Sequence, residues 1–476
     1  MKYPDQEIQD ILEGVQQIVG EKHATSSVLE RINNSVGIHK MFMNKDELPY
    51  VVARPANAQE VSRLMVYANE KKVPVFVRGS GTSLSGASDY RHKGIVLNTS
   101  RMNHVNMFTD NGYVELGPGR RCQEVMDILE KAGYFFPMHP GSVRIATVGG
   151  VTCNNTSAHV VDPRMGKPKD YILGVEAVTP TGEILDVGTK SLRRPAGLDL
   201  TQLFVGGDGL FGVITNVRLR LEPLPKYSYG LAFFEDGRGT ARAVQRMYQE
   251  RLTPPLFLEY MDKHTADPGF EVQQLPTPVG PLILFQFAGR TEADAQAQCE
   301  DFLTIAREEG AVNAFLITDI DYWKRVWLAR SSSGPFAAQK AKGLVISAEV
   351  LTTVERLVEA YDDVVVMGKD MPRLGQCFPN YLYGHLGALS YHPSYVLPAA
   401  WAPEVRAEAV AEVFTLETEL NLRYETCGGE WGQTGRRHPF YLKRYGDANF
   451  AHVRQMKAAF DPNNILNPDV LPDLED

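Results

Sequence analysis

Three glycine-rich clusters, set in order along the first half of the chain, constrain its fold more than any other feature. The first, Arg78-Gly79-Ser80-Gly81-Thr82-Ser83-Leu84-Ser85-Gly86, directly follows an apolar VPVFV run that reads as a strand. The second joins Pro140-Gly141-Ser142 to Thr147-Val148-Gly149-Gly150 and then Asn154-Asn155. The third is Gly206-Gly207-Asp208-Gly209-Leu210-Phe211-Gly212-Val213-Ile214-Thr215. A residue without a Cβ lets backbone N–H groups approach an anion closely, and Ser and Thr hydroxyls add donors. Taken singly, each cluster fits a tight turn as well as an anion cradle. The spacing is neither GxGxxG followed by a ribose-binding acid nor the P-loop.

Around these clusters the chain alternates strands and helices. YVVARP reads as a strand ended by Pro55, and AQEVSRLMVYANEKK as a helix with Val61, Leu64, Met65 and Ala68 on one face. CQEVMDILEKAGY is a second helix. YILGVEAVTPTGEILDVG is a hairpin turning at Pro180-Thr181-Gly182, and GVITNVRLRLEPLP is an alternating strand. Residues 5–44 read as largely helical. The 476 residues exceed one ordinary core. The expected division is an N-terminal helical arm (1–44), a first α+β domain (45–225), a second α+β domain (226–415) and a C-terminal segment (416–476).

Composition removes several classes. A net charge of −9 with no basic tract argues against nucleic acid as a partner. The first twenty residues lack the apolar core of a secretory signal. The longest stretch free of Asp, Glu, Lys and Arg, 374–403, holds Pro379, Pro393, Pro398, Pro403, two His and three Gly. Such a segment suits the lining of a buried site and not a membrane span. Five scattered Cys with no CxxC disfavour a zinc ribbon or an intrinsic iron–sulfur cluster. A cytoplasmic location with reduced thiols is expected.

Together, RGSGTSLSG, HPGSVRIATVGGVTCNN and GGDGLFGVIT resemble the FAD-binding domain of the vanillyl-alcohol-oxidase / p-cresol-methylhydroxylase superfamily. They are closest to its branch of D-lactate dehydrogenases and glycolate oxidase large subunits. The resemblance implies an α+β fold: a two-subdomain FAD-binding module, a cap domain built on an antiparallel sheet covered by helices, and a C-terminal segment returning to the flavin. It implies flavin contacts from Arg78, Gly79, Ser80, Gly81, Thr82, Ser83, Pro140, Gly141, Ser142, Thr147, Gly149, Gly150, Asn154, Gly207, Gly212, Val213 and Ile214. Asn467, in the tail FDPNNILNP, is expected at the flavin ring. Thr82 and Val143-Arg144 stand where other branches place a linking His or Cys, so the FAD is expected to be noncovalent.

His385 and His392, seven apart, could face one ion or lie partly buried in a polar turn. The resemblance adds Glu430 as a third ligand of a divalent ion (Zn, Mn or Fe), which would lower the pKa of a substrate hydroxyl. It also makes Arg330, in WKRVWLARSSSG, the partner of a substrate carboxylate. Three departures stand out: Ala388 and Ser390 replace Asp and Asn, and Trp431 replaces a His that could act as base. His438 or a metal-held hydroxyl would then take the proton. Tyr381, Tyr383 and Tyr391 surround the His pair in sequence, as packing or as pocket walls. The expected activity is dehydrogenation of a small 2-hydroxy acid or related alcohol. Electrons would pass to an electron-transfer flavoprotein, an iron–sulfur subunit or a quinone, and the chain could self-associate. The competing readings are oxidation of an aromatic or bulkier alcohol, a non-catalytic flavin relay subunit, and a non-flavin binding protein.

Overall fold

The computed structural model describes residues 3–37, 47–83, 90, 92–157, 162–193, 197–427, 438–468 and 470–471. The chain forms two compact units. Unit 1 comprises 1–158, 166–224 and 430–476; unit 2 comprises 159–165 and 225–429.

Unit 1 holds two main sheets. The first has the order Ala24–Thr25, Val51–Ala53, Ile95–Asn98, Val75–Arg78, the last three strands being parallel. Helix Ala58–Lys71 covers it, capped by the Asn57 side chain, which accepts from the Glu60 N–H at 2.9 Å. Val61, Leu64, Met65 and Ala68 are all buried, as their spacing predicts. Helix Tyr3–Val19 buries Ile11, Val15 and Val19 in the same core. The expected separate arm over 1–44 is thus part of unit 1, because its apolar stripe needs cover.

The second sheet is antiparallel, in the order Val105–Phe108, Tyr113–Leu116, Val213–Arg220, Ile172–Val178, Ile184–Gly188. The last two strands are the expected hairpin, with Gly182 at φ 94°. Val213–Arg220 does not alternate as expected. It is central, buried along most of its length, and shifted in register between Ile214 and Asn216 and between Arg218 and Leu219.

Unit 2 is built on one antiparallel sheet. Its order is Ala311–Ile317, Lys226–Phe234, Leu282–Gly289, Phe257–Met261, Tyr381–His385, Ser390–Pro398, Gly343–Ser347, with Val350–Leu351 also pairing to Ser390–Pro398. Alternation gives it two faces. Leu258, Tyr260, Ile283, Phe285, Leu382, Tyr391 and Tyr395 lie in one core with residues of helices Gly237–Gln249, Glu292–Glu308, Leu357–Val365 and Pro403–Arg423. Leu231, Phe233, Phe257, Met261, Leu282 and Leu284 lie in the other, with residues of helices Lys263–Val272 and Ile320–Ser331. Helix Pro403–Arg423 runs unbroken through the expected boundary at 415/416, burying Glu417, Leu420 and Asn421, so unit 2 continues to 429. Among the described residues no helix is long and apolar enough to cross a membrane.

Candidate functional site

In unit 1 the three glycine clusters converge. Gly79 lies so close to Thr147 that a Cβ on it would fall 2.2 Å from the Thr147 Oγ1. Thr147 caps helix Val148–Cys153, and the second cluster meets the third where the carbonyls of Thr152 and Cys153 accept from the N–H groups of Gly206 and Asp208, both at 3.1 Å. Asn467 closes the ring. Its Oδ1 accepts from the Val77 N–H at 3.0 Å, and its Nδ2 donates to the Gly209 carbonyl at 2.9 Å. Both ends of that amide therefore brace the backbone.

The ring suits an anion. Gly81 has φ 73°, and a Cβ there would meet the Arg78 guanidinium at 2.3 Å. Arg78 is only 7% exposed; its Nη2 donates to the carbonyls of Asn33 and Val36, while its Nη1 has no partner among the described residues. A buried cationic N–H without an acceptor fits the pyrophosphate of a dinucleotide. Thr82 and Ser83 are half-buried beside it, and Ser80 is exposed. The Ser142 carbonyl accepts from Ile145 and Ala146, leading into Thr147, and the Asn154 N–H closes the helix onto Gly150. Pro140 is buried and Gly141 exposed. Gly207 is packed on the Leu203 carbonyl and Gly212 on that of Val178. Val213 and Ile214 place their side chains in apolar cores.

Sequence reasoning missed what anchors Asn467. Lys457 and Asp461 form a buried ion pair at 2.6 Å. The Lys457 Nζ also donates to the carbonyls of Leu210 and Leu466, and Asp461 accepts from the N–H groups of Ile465 and Leu466. Burial lowers the Lys457 pKa, with Asp461 opposing. The i,i+4 Lys–Asp spacing ahead of the tail was the available signal.

In unit 2 the register assembles a polar cluster on the sheet face under helix Ile320–Ser331. That helix is capped by Asp319, which accepts from the N–H groups of Asp321 and Tyr322. Trp323 lies 4.3 Å from Tyr229, and Trp327 lies 5.1 Å from Phe257. Arg330 follows Trp327 by about one turn, and Glu259 follows Phe257 by two strand residues. The two advances are similar, roughly 5 Å and 7 Å, so the guanidinium lands on the carboxylate. Arg330 Nη2 donates to Glu259, and the guanidinium lies 4.6 Å from the centre of the Tyr383 ring. The Arg330 Nε has no partner among the described residues.

His385 sits at the end of one strand of a hairpin, opposite Ser390, while His392 faces Tyr383 across the pair. The two imidazoles are thus diagonal neighbours on one face, with centroids 4.9 Å apart. The His385 Nδ1 lies 2.8 and 2.9 Å from the Glu259 oxygens. A weaker 3.5 Å approach by Arg330 competes for the same nitrogen; the two shorter contacts to a carboxylate make Nδ1 the donor. The His392 Nδ1 lies 3.1 Å from the Ala348 carbonyl, which can only accept, and its Nε2 is 3.4 Å from the Ser390 Oγ. Each ring is thus held through Nδ1. Tyr383 stacks on His392 at 4.9 Å. Arg330, Glu259, His385 and His392 are all buried.

Arg330, His385 and His392 are therefore brought together, with Glu259 as the member sequence reasoning missed. A lone Glu in the apolar strand FLEYM was its signal. Tyr391 does not join them: it points to the opposite face, packed edge-on against Tyr260 at 6.1 Å. Glu430, Trp431 and the side chain of His438 lie outside the described residues. Among the described residues no group of three His, Cys, Asp or Glu is placed to hold a metal.

Comparison with known proteins places both halves of the chain in flavoprotein families. Residues 49–188 match the FAD binding domain family, and residues 225–471 match the family described as FAD linked oxidases, C-terminal domain. The chain is 27% identical to the glycolate oxidase subunit GlcD of Bacillus subtilis, covering 96% of each protein. It is 29% identical to a D-lactate dehydrogenase of Archaeoglobus fulgidus, covering 88% of this chain and 90% of that one. In fold it is similar to p-cresol methylhydroxylase, with TM-score 0.77 and 14% identity over 99% of this chain and 98% of that one. Alkyldihydroxyacetonephosphate synthase gives TM-score 0.71 and 16% identity over 96% of this chain and 85% of that one. The chain belongs to the FAD-linked oxidases and is an FAD-dependent oxidoreductase acting on CH–OH groups.

Proposed function

We propose that this chain is a dehydrogenase of a small 2-hydroxy acid, passing the electrons to a partner protein or a quinone. The observation that carries it is the buried Arg330–Glu259–His385 set beside His392. A guanidinium that keeps N–H groups beyond those on Glu259 suits a substrate carboxylate. FAD, held by the glycine ring, supplies the two-electron acceptor. The hydroxyl proton must leave as the carbonyl forms, and His385 takes it at Nε2. Glu259, on Nδ1, orients that imidazole and stabilises its charged form, in the way a carboxylate supports a catalytic His. This assigns to His385 the role that Trp431 cannot fill.

Two Nε2 atoms so oriented also suit a divalent ion, since a carboxylate or carbonyl on the far nitrogen is the usual setting of a ligating His. Such an ion would need a third ligand beyond His385 and His392, and would act by holding the hydroxyl. The tests are anaerobic: flavin absorbance of the purified protein is titrated with D- and L-2-hydroxy acids and with aromatic alcohols, with and without a chelator. Bleaching by a hydroxy acid, lost in Arg330→Met, supports the reading. Bleaching by aromatic alcohols alone overturns it, and chelator sensitivity decides for the ion.

A further inference from the structure

The hairpin that carries His385 and His392 turns through Leu386–Ala388 and Leu389. Leu389 takes the left-handed conformation, φ 59°, which strains a residue with a side chain. Gly387 does not take a positive φ, so its freedom of backbone is not what the turn uses. Space is what it supplies. A Cβ at 387 would fall 2.7 Å from the Pro163 Cγ, on a ring that cannot swing aside, and 3.3 Å from the Leu258 Cβ. The turn is therefore held close against both Pro163 and strand Phe257–Met261. The Gly387 carbonyl also accepts from the Tyr248 hydroxyl, and the Leu389 carbonyl accepts from the Thr352 N–H at 3.0 Å.

Pro163 reaches this turn from a distant part of the chain. Residues 159–165 belong to unit 2, although the residues before and after them belong to unit 1. The excursion starts soon after Asn154-Asn155 of the second glycine cluster. Its stems are tied together where the Asn155 Oδ1 accepts from the Lys169 N–H at 3.0 Å. Helix Asp162–Met165 packs on the 386–388 turn and on strand Phe257–Met261. Arg164 anchors it, donating through Nη1 to the carbonyl of Ala288, near the end of strand Leu282–Gly289.

The neighbours of these contacts give them a role. Leu258, which the turn meets, precedes Glu259, the carboxylate on the His385 Nδ1. Gly387 follows His385 by two residues. The gap between turn and strand thus sets the 2.8 Å contact between imidazole and carboxylate. Resting on the dehydrogenase reading, we infer that Pro163 is a positioning residue for the reaction: packed on Gly387, it seats the turn on strand Phe257–Met261 and so keeps His385 on Glu259, turned to take the hydroxyl proton. It acts through Gly387. Misplacing a reacting group by about 1 Å costs up to about a hundredfold in rate, so a residue remote from the substrate can set that rate.

The experiment compares the flavin holoenzymes of the parent, Pro163→Ala, Gly387→Ala, the double variant and Pro163→Val. Pro163→Ala removes the ring carbon that meets the turn, and Ala suits a helix. Gly387→Ala adds a methyl group where that carbon lies; in the double variant the methyl group takes up the vacated space. Anaerobic stopped-flow reduction by D- and L-2-hydroxy acids gives a limiting rate and an apparent dissociation constant. Each Ala variant should lose about tenfold in limiting rate and change the dissociation constant less than about twofold, because Arg330 stays in place. The double variant should recover most of the loss, and Pro163→Val, which keeps γ carbons, should stay close to the parent. The second readout needs no substrate. In nitrogen-15 spectra of the imidazoles, the His385 Nδ1 proton, identified by its absence in His385→Gln, should exchange with water about tenfold faster in each Ala variant and slow again in the double. Losses that simply add in the double variant, or Nδ1 exchange unchanged in Pro163→Ala, overturn the inference. If no hydroxy acid reduces the parent, the exchange pattern decides alone: rescue in the double variant keeps the positioning role while the dehydrogenase reading falls, and no rescue removes both.

Discussion

Glu259→Gln isolates the central electrostatic claim. The carboxylate is 1% exposed and accepts from two sides, Arg330 and the His385 Nδ1. A Gln of the same shape has one acceptor oxygen and one NH2 group, so it satisfies either Arg330 or His385 and turns a donor toward the other. Removing one partner of a buried ion pair costs about 3–5 kcal/mol, because the remaining charge is stranded. Here the Tyr383 ring still lies against the guanidinium and returns about 1 kcal/mol. The expected destabilisation is therefore about 2–4 kcal/mol. The assay is denaturant unfolding followed by tryptophan emission, since Trp323, Trp327 and Trp401 all lie in unit 2. Adding Arg330→Met to Glu259→Gln removes the stranded charge, so the double variant should be more stable than Glu259→Gln alone. A Glu259→Gln protein within about 0.5 kcal/mol of the parent would refute the reasoning. So would a double variant less stable than the single.

Three further outcomes follow from the geometry. Gly81→Ala puts a Cβ onto Arg78 at a left-handed φ, so the purified protein should lose FAD at least about tenfold more readily on dilution, with unit 2 unfolding unchanged; parental flavin content would count against the cradle. Asp461→Asn leaves Lys457 buried beside a neutral group and should cost about 3 kcal/mol, with release of the tail and of flavin at lower denaturant; unchanged flavin release would show that the tail does not brace the ring. Burial pushes the Asp262 carboxyl up to about 6, against hydrogen bonds from Thr265 and Leu382 that pull it down. A raised folded value means the folded state holds its proton longer than the unfolded state, so the parent loses stability as pH rises from about 4 to about 6, and loses no more above that. The stability of Asp262→Asn relative to the parent should climb across that window by up to about 3 kcal/mol and then level off; a flat difference would contradict it.

Unit 1 was the more legible half. Its cradle is made of local chemistry: glycine where a Cβ would collide, a strand ending in Arg78, a Thr cap, a hairpin turn at Gly182. Each of these signals spans only a few residues. The helix over Ala58–Lys71 was equally readable, since its core face repeats at helical spacing. Less legible was the N-terminal helix, whose stripe says that it needs cover but not which sheet provides it.

The cluster in unit 2 divides differently. Composition alone marked 374–403 as unusual, and the residue types at 330, 385 and 392 pointed to anion and proton chemistry. Spacing of seven between the two His did not show that they are diagonal neighbours, because that depends on a turn at 386–389 and on the register His385 to Ser390. Tyr391, next to His392 in sequence, takes the packing role of the two it was read for, because a shift of one residue along a strand exchanges the faces of the sheet. Glu259 lies far from His385 in sequence, and only the pairing of Phe257–Met261 with Tyr381–His385 makes them neighbours. The resemblance carried by the glycine clusters implied the cofactor class, and the sequence by itself determined the kinds of side chain available for the chemistry, because those depend on residue type. Tertiary structure alone decided which carboxylate holds which imidazole, because that depends on strand register and on a helix laid across it.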